Sequence, residues 1–478
     1  MPNIPLTLAT KSNPGRDPQE GAAKLINCYA EITGQDAKGQ TAIHACNGFT
    51  EFSTLASGGA VRAMLAVGAY LYVVAGRVLY RVDSTGTSQV IGGIPTDGPV
   101  YMGRNRREPS PEIGIVSDGL FWVCTDASLA EVIDADLPEA TSFAVLDGYG
   151  ILPGHGNRWF ITGIDDFTAI DGLDFAKTEA SPDATKRILA RGPELVFLGE
   201  RSIEFWQDTA QGDFPFSRAA AISFGCFAPG SAVNATIVQG NSVLDALIWA
   251  GTDNEGAYAG VMMATGYQPN KISDYWVDRA IRDEPDASSI RGTSWNADGH
   301  TFYSISGTSF TACWDSQTGW HHRQSYGLSR WRIAHVTSFA GMVIGGDYDN
   351  GKLYQLSPTV YDEDGEPLVM TVQAPPVHGF PQRFRHDALY IDAVLGVGDG
   401  GTSEDTGTPH LMLSWADDGL EFGTERLLHL GQQGARTGRI KTTRLGRVTG
   451  SRTYRFSVSA AVFRSIMGAS VDVTSLGS

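Results

Sequence analysis

Apolar and polar positions alternate with period two over short stretches of this chain, and the stretches come in pairs. In Glu194-Leu-Val-Phe-Leu-Gly-Glu-Arg-Ser-Ile-Glu-Phe-Trp206 the apolar run Val196 to Leu198 precedes a turn at Gly199-Glu200-Arg201, after which Ile203 and Phe205 alternate with polar residues. That pattern predicts a β-hairpin with one buried face. Further copies run from Ala69 to Val74 with Val78 to Asp83, Gly119 to Cys124 with Ala130 to Asp134, and Arg158 to Thr162 with Phe167 to Asp171. The remaining ones are Ala246 to Ala250 with Ala259 to Met263, Thr301 to Ile305 with Phe310 to Asp315, and Gly341 to Gly345 with Lys352 to Leu356. A lone hairpin cannot bury its apolar face, so the copies must pack on one another. Their spacing, roughly 37 to 54 residues, matches four-stranded propeller blades.

The fold expected is therefore all-β: a β-propeller of six to seven blades over 58–368, preceded by an N-terminal arm and first strands (1–57) and followed by a C-terminal β domain (369–478). In the first segment Ser12 to Pro18 is polar and proline-rich, and Ala22 to Ile32 fits a short helix or an extended segment equally well. In the last, Leu389 to Val394, Leu411 to Trp415, Arg439 to Thr443 and Tyr454 to Val458 read as strands of an antiparallel sandwich. Gly396 to Thr408, rich in glycine and acid, reads as a mobile loop.

Charge divides the chain more sharply than hydropathy does. The formal net charge is −17 and the pI near 5.0, which argues against a DNA-gripping surface over the whole protein. From Arg426 to Ser470, however, nine cations stand without one Asp or Glu, so the rest of the chain carries −17 − 9 = −26. Arg436, Arg439, Lys441, Arg444 and Arg447 are the candidate subunit or partner interface within that segment; the alternative is a solvated strand face of snorkelling side chains. Five scattered cysteines, with no C-x-x-C pair, read as buried free thiols. Met1 to Leu8 lacks the pattern of a signal peptide and no run is long enough to span a membrane, so a soluble intracellular product, or one released by lysis, is expected.

Motifs that carry chemistry are few. Gly396 to Gly401 satisfies G-x-G-x-x-G, but no helix is expected after it and its acidic neighbours would repel a pyrophosphate. Asp347 to Gly351 and Asp362 to Gly365 could supply calcium oxygens but fit hairpin turns better. His321-His322 has no third ligand at metal spacing and reads as strand surface. Asn234-Ala-Thr236 fits a sequon that means nothing without secretion. Ser414-Trp-Ala-Asp-Asp-Gly-Leu-Glu-Phe422 resembles the Asp-box hairpin of sialidases, a structural turn remote from their active sites. No catalytic residue, metal or cofactor is assigned, and no enzymatic turnover is expected.

Several longer strings occur in order: Asn27 to Glu31, Leu198 to Trp206, Gly225 to Ser231, Gly266-Tyr-Gln-Pro-Asn-Lys-Ile-Ser273, Trp314 to His321, Gly351 to Tyr354, Ser414 to Gly419 and Arg444 to Arg447. Together they resemble the packaged-DNA stabilisation proteins, or tail hub (nozzle) proteins, of short-tailed bacteriophages. Asp418 to Phe422 departs from the family pattern, lacking its second glycine and Arg-Thr-Trp run. The resemblance implies a virion tail protein assembled in the host cytoplasm as a ring, six copies, below the portal and its head-to-tail adaptor. It implies contacts with a tail needle or plug and with fibres or spikes, and DNA that passes through the lumen without sequence-specific binding or membrane insertion. An acidic lumen would let DNA slide, with the arginine-rich C-terminal domain meeting neighbours. A glycan-binding propeller or sialidase-like glycosidase is the alternative, and it would need convergent carboxylates.

Overall fold

The computed structural model describes residues 3–34, 39–126, 128–181, 183–210, 214–239, 242–379, 381–399 and 404–477. Seven antiparallel sheets follow one another as blades. Blades 1 to 6 cover 61–93, 101–131, 144–177, 185–222, 225–271 and 291–322. Blade 7 takes three strands from 333–357 and its fourth, Gly48–Thr54, from near the chain start, with Asp362–Glu363 and Glu366–Pro367 added beyond it. The inner strand of blade 1, Val61–Val67, touches those of blades 2 and 7, so the ring closes.

The alternation seen in the sequence becomes the contact surface between blades. In blade 4, Glu194–Gly199 pairs with Ile203–Asp208, setting Val196 opposite Phe205; both are fully buried, as are Leu198 and Ile203. Turn chemistry sets the registers. Asp298-Gly299 and Asp364-Gly365 have positive φ at both positions (52° and 81°; 56° and 86°), the geometry of a two-residue type I′ hairpin.

The sandwich is woven from both ends of the chain. One sheet holds Cys28–Ile32, Thr41–Ala45, Ser465–Gly477, Arg383–Ala393 and Ile440–Val448, with Asn3–Leu6 added along Ser465–Gly477. The other holds Ala22–Ile26, Met370–Gln373, Ser451–Val458, His410–Ala416 and Arg426–His429. Leu25, Cys28, Ile43, Val372, Leu389, Leu413 and Phe456 pack between them. The segment expected as an arm and first strands supplies strands to both sheets, and Ala22 to Ile32 is extended, broken only at Asn27 (φ 55°). Asn27, 2% exposed, donates from Nδ2 to the carbonyls of Gln324 (2.9 Å) and Val369 (3.1 Å), tying propeller to sandwich.

His321-His322 is not strand surface. It lies on the outer strand of blade 6, and Ala22–Ile26 of the sandwich covers that strand through the Ile26–His322 bridge. His321 is 2% exposed, and His322 stacks on Trp276 at 3.9 Å with Nδ1 3.0 Å from Ser12 Oγ. Burial pushes both imidazoles down to about 3. All five cysteines are buried free thiols. Among the described residues no helix is long and apolar enough to cross a membrane.

Candidate functional site

The nine cations between Arg426 and Ser470 sort into two groups. Four are held by partners within the chain, two of them buried. Arg452, 2% exposed, grips Asp417 with two bonds (2.6 and 3.0 Å) and donates to the carbonyls of Leu445 (2.7 Å) and Arg447 (3.2 Å). Arg464 donates to the carbonyls of Leu368 and Tyr361, across the passage from propeller to sandwich; burial pulls its guanidinium down to about 10. Arg455 lies 3.5 Å over the Phe422 ring and reaches Gln373 Oε1. Arg426 donates to the carbonyls of Thr443 (2.8 Å) and Arg444 (3.3 Å).

The other five are Arg436, Arg439, Lys441, Arg444 and Arg447, and all are exposed. The last three stand on Ile440–Val448, whose one paired neighbour among the described residues of its sheet is Arg383–Ala393. It is therefore an edge strand, and a row of charges is how such an edge is kept from pairing indiscriminately. A bulge opposite Asp387 puts Arg444 in the left-handed region (φ 60°) and turns it outward. Lys441 Nζ sits 4.9 Å over the Tyr390 ring. None of the five forms an ion pair among the described residues. Beside Arg439 a depression of about 730 Å³ is floored by Asn3, Tyr390, Asp392, Met467 and Ser470.

The remaining motifs serve the fold. Asp347 accepts from Arg332 (2.7 Å) and Tyr354 (3.1 Å) and caps the turn through the backbone NH of Asp349 (2.8 Å). Asp362 to Gly365 is a hairpin. Among the described residues no cluster of three His, Cys, Asp or Glu side chains could hold a metal. Residues 400 and 401 of the glycine motif lie outside the described residues; one helical turn, Glu404–Gly407, follows, too short to cradle a phosphate. Asn234 lies on the inner strand Val233–Gln239 with its amide on the Ala190 carbonyl. The string Gly266 to Ser273 leads into helix Tyr275–Arg282, clamped where Lys271 (2.6 Å) and Ser273 (2.5 Å) meet Asp278. One end of the propeller channel is lined by Arg62, Arg187, Arg291 and Arg330, which the sequence alone did not single out because no local pattern joins them.

Two family models match the chain. One, described as bacteriophage P22 Gp10, beta-propeller, covers residues 23–361; the other, bacteriophage P22 Gp10, beta-sandwich, covers 376–474. The chain belongs to the bacteriophage P22 Gp10 family. As a Gp10-like protein it is a phage structural protein that stabilises packaged DNA. No curated protein matches it. Among solved structures, a streptogramin B lyase shares 12% identity over 69% of this chain and 98% of its own, with a TM-score of 0.41. BamB from Moraxella catarrhalis shares 10% over 70% and 97%, with a TM-score of 0.37. A catalytically inactive virginiamycin B lyase from Staphylococcus aureus shares 12% over 65% and 98%, with a TM-score of 0.43. At such scores these likenesses carry no argument about what the Gp10-like chain does.

Proposed function

We propose that this chain is the tail hub, or nozzle, of a short-tailed phage: a ring of six copies that extends the portal–adaptor channel, holds the packaged genome and forms part of its exit route. The observation that carries the reading is the exposed row Arg436, Arg439, Lys441, Arg444 and Arg447, five cations without a carboxylate partner among the described residues, on a molecule otherwise strongly acidic. Unlike surfaces that meet head to tail generate rings when the rotation closes. The acidic remainder suits a lumen through which DNA slides, because each phosphate contact would add counterion-release affinity. Needle or plug, and fibres or spikes, would meet the propeller loops, which a rigid ring of blades presents in different directions.

The glycosidase alternative finds less support. Its Asp-box-like turn lies in the sandwich, where Asp417 holds Arg452. Among the described residues that line the cavity at one end of the channel Asp97 is the one carboxylate, and glycoside hydrolysis by the common route takes two.

The test is the native mass of the purified chain, alone and with portal–adaptor complex, followed by imaging. A six-fold ring, free or formed only on the adaptor, supports the proposal; a small oligomer that ignores the adaptor overturns it.

A further inference from the structure

The propeller axis carries a second cationic group, different in kind from the edge strand. A cavity of about 430 Å³ lies at one end of the channel, lined by Arg62, Arg187, Arg291, Arg330 and His335. Its size is that of a small-molecule site. Arg62 is the second residue of Val61–Val67, Arg187 the third of Thr185–Arg191 and Arg291 the first of Arg291–Ala297, while Arg330 precedes Ile333–Phe339. All four thus enter from the starts of inner strands, in blades 1, 4, 6 and 7.

Among the described residues these charges have no direct carboxylate partner. None of the four forms an ion pair among the described residues, and the carboxylates that bear on them are engaged elsewhere. Asp97 is bound to Arg77 (2.8 Å) and Asp118 to the backbone NH of Gly98 (2.9 Å). Asp286 caps the Ser288 NH (2.8 Å), Asp347 holds Arg332, and Glu284 takes the Thr308 NH (2.8 Å) and hydroxyl (2.7 Å).

The four differ in how far the chain satisfies them. Arg62 is saturated: it donates to the carbonyls of Gly98 (3.0 Å), Gly76 (2.9 Å) and Thr96 (2.7 Å) and to Ser117 Oγ (2.8 Å). The other three are not. Arg187 donates from Nη1 to the Pro229 carbonyl (2.6 Å), and its buried Nε has no acceptor. Arg291 donates only from Nη1, to the carbonyls of Ile290 (3.0 Å) and Ser288. Arg330 uses Nε and Nη1, on the carbonyls of Trp331 (3.2 Å) and Gly307 (2.8 Å). The Nη2 groups of all three donate to nothing in the described chain. Tyr101 and Tyr348 steer two of these guanidinium planes, at 5.3 Å from Arg187 and 4.1 Å from Arg330.

We propose that this end of the channel binds a small phosphate-class oxyanion, held by the free Nη2 donors of Arg187, Arg291 and Arg330. Converging guanidinium groups with unused donors are the recognition chemistry of such anions. The neighbouring His335 is held by burial and by the same guanidinium groups. Burial first, and then Arg291 and Arg187, hold the His335 imidazole down to about 3. A bound anion would bridge blades 4, 6 and 7 across the axis, bracing the ring from inside. The inference does not depend on assembly into a tail.

The experiment is calorimetric titration of the full-length chain with pyrophosphate at fixed ionic strength. One site per chain is expected, weakened roughly 10- to 100-fold by Arg187→Gln and by Arg291→Gln, and unchanged by Arg436→Gln with Arg439→Gln on the edge strand. Wild-type crystals soaked in tungstate supply a readout that needs no variant: anomalous density should stand on the propeller axis among the three arginines. Absence of binding by the wild type, equal loss in the edge-strand variant, or tungstate found only elsewhere overturns the proposal.

Discussion

Propeller and sandwich treat distance along the chain in opposite ways. Each of blades 1 to 6 is a single consecutive stretch, so its hairpins close over a few residues. The sandwich joins the two ends: Asn3–Leu6 lies along Ser465–Gly477, and Ala22–Ile26 pairs with Met370–Gln373. Loop-closure entropy rises only logarithmically with length, so such pairings hold once a core forms, but they form late. Both ends of the propeller therefore run into the sandwich, which acts as a clasp on the ring.

The sharpest way to break that comparison is to end the chain at residue 464. Ser465–Gly477 lies between Thr41–Ala45 and Arg383–Ala393 in the middle of its sheet. Its loss should abolish the sandwich's thermal transition while a propeller transition remains. Calorimetry and limited proteolysis would check this; simultaneous loss of both would mean one cooperative unit. Next in size is Phe49→Ala. Phe49 is fully buried on the strand that closes blade 7, 4.5 Å from Tyr354, and the substitution should cost about 3–5 kcal/mol in urea unfolding.

Within the sandwich, Arg452→Met removes the pairing with Asp417 and strands the carbonyls of Leu445 and Arg447. A loss of about 2–4 kcal/mol is expected, below the full cost of breaking a buried pair because Asp417 is half exposed. A melting temperature unchanged by this substitution would show that the bulge holds itself.

The same contrast explains what the sequence made legible. Period-two alternation and Asp-Gly turns act over a dozen residues, so the blade hairpins could be read directly, and so could the exposed cations of Ile440–Val448. Register across hundreds of residues leaves no local trace. Nothing near Asn3 or Ala22 announces a partner at Ser465 or Met370, and the burial of His321-His322 follows from that same long-range cover. The channel arginines were hidden for a related reason: Arg62, Arg187, Arg291 and Arg330 are far apart in sequence and meet only when seven blades close.

Acid should weaken each half through its own buried histidines. His386 is fully buried, with Nδ1 2.5 Å from the Tyr454 hydroxyl, and burial first, then Arg452, lowers its imidazole to about 4. The unfolded chain protonates it near its ordinary 6.5, so between those values the unfolded state holds the extra proton. The stabilisation is fully present above about pH 6.5 and is lost as pH falls toward 4, at roughly 1.4 kcal/mol per pH unit. His386→Gln should lessen the acid sensitivity of the sandwich transition alone, and His335→Gln should remove part of that of the propeller, where burial lowers His321 and His322 as well. Calorimetry at stepped pH distinguishes them, and parallel changes in both transitions would erase the distinction between the halves.

The smallest effect on stability should come from Lys441, Arg444 and Arg447 changed together to glutamate. Their side chains are exposed and form no ion pair in the described chain, so folding should move by no more than about 0.5 kcal/mol at Arg444 and at Arg447. Lys441 is the one with something to lose, its contact with Tyr390, worth about 0.5–1 kcal/mol at an exposed site. Assembly should respond in the opposite sense. If the edge strand meets an acidic neighbour, reversing three charges replaces attraction by repulsion and slows encounter as well as loosening the complex, and the ring mass should fall to that of the monomer. Salt separates this from misfolding: raised ionic strength screens exposed charges, so it should weaken the wild-type ring and leave the variant monomeric with an unchanged melting temperature. A variant that still forms rings would move the interface off this strand, leaving its cations the narrower role of protecting an open sheet edge.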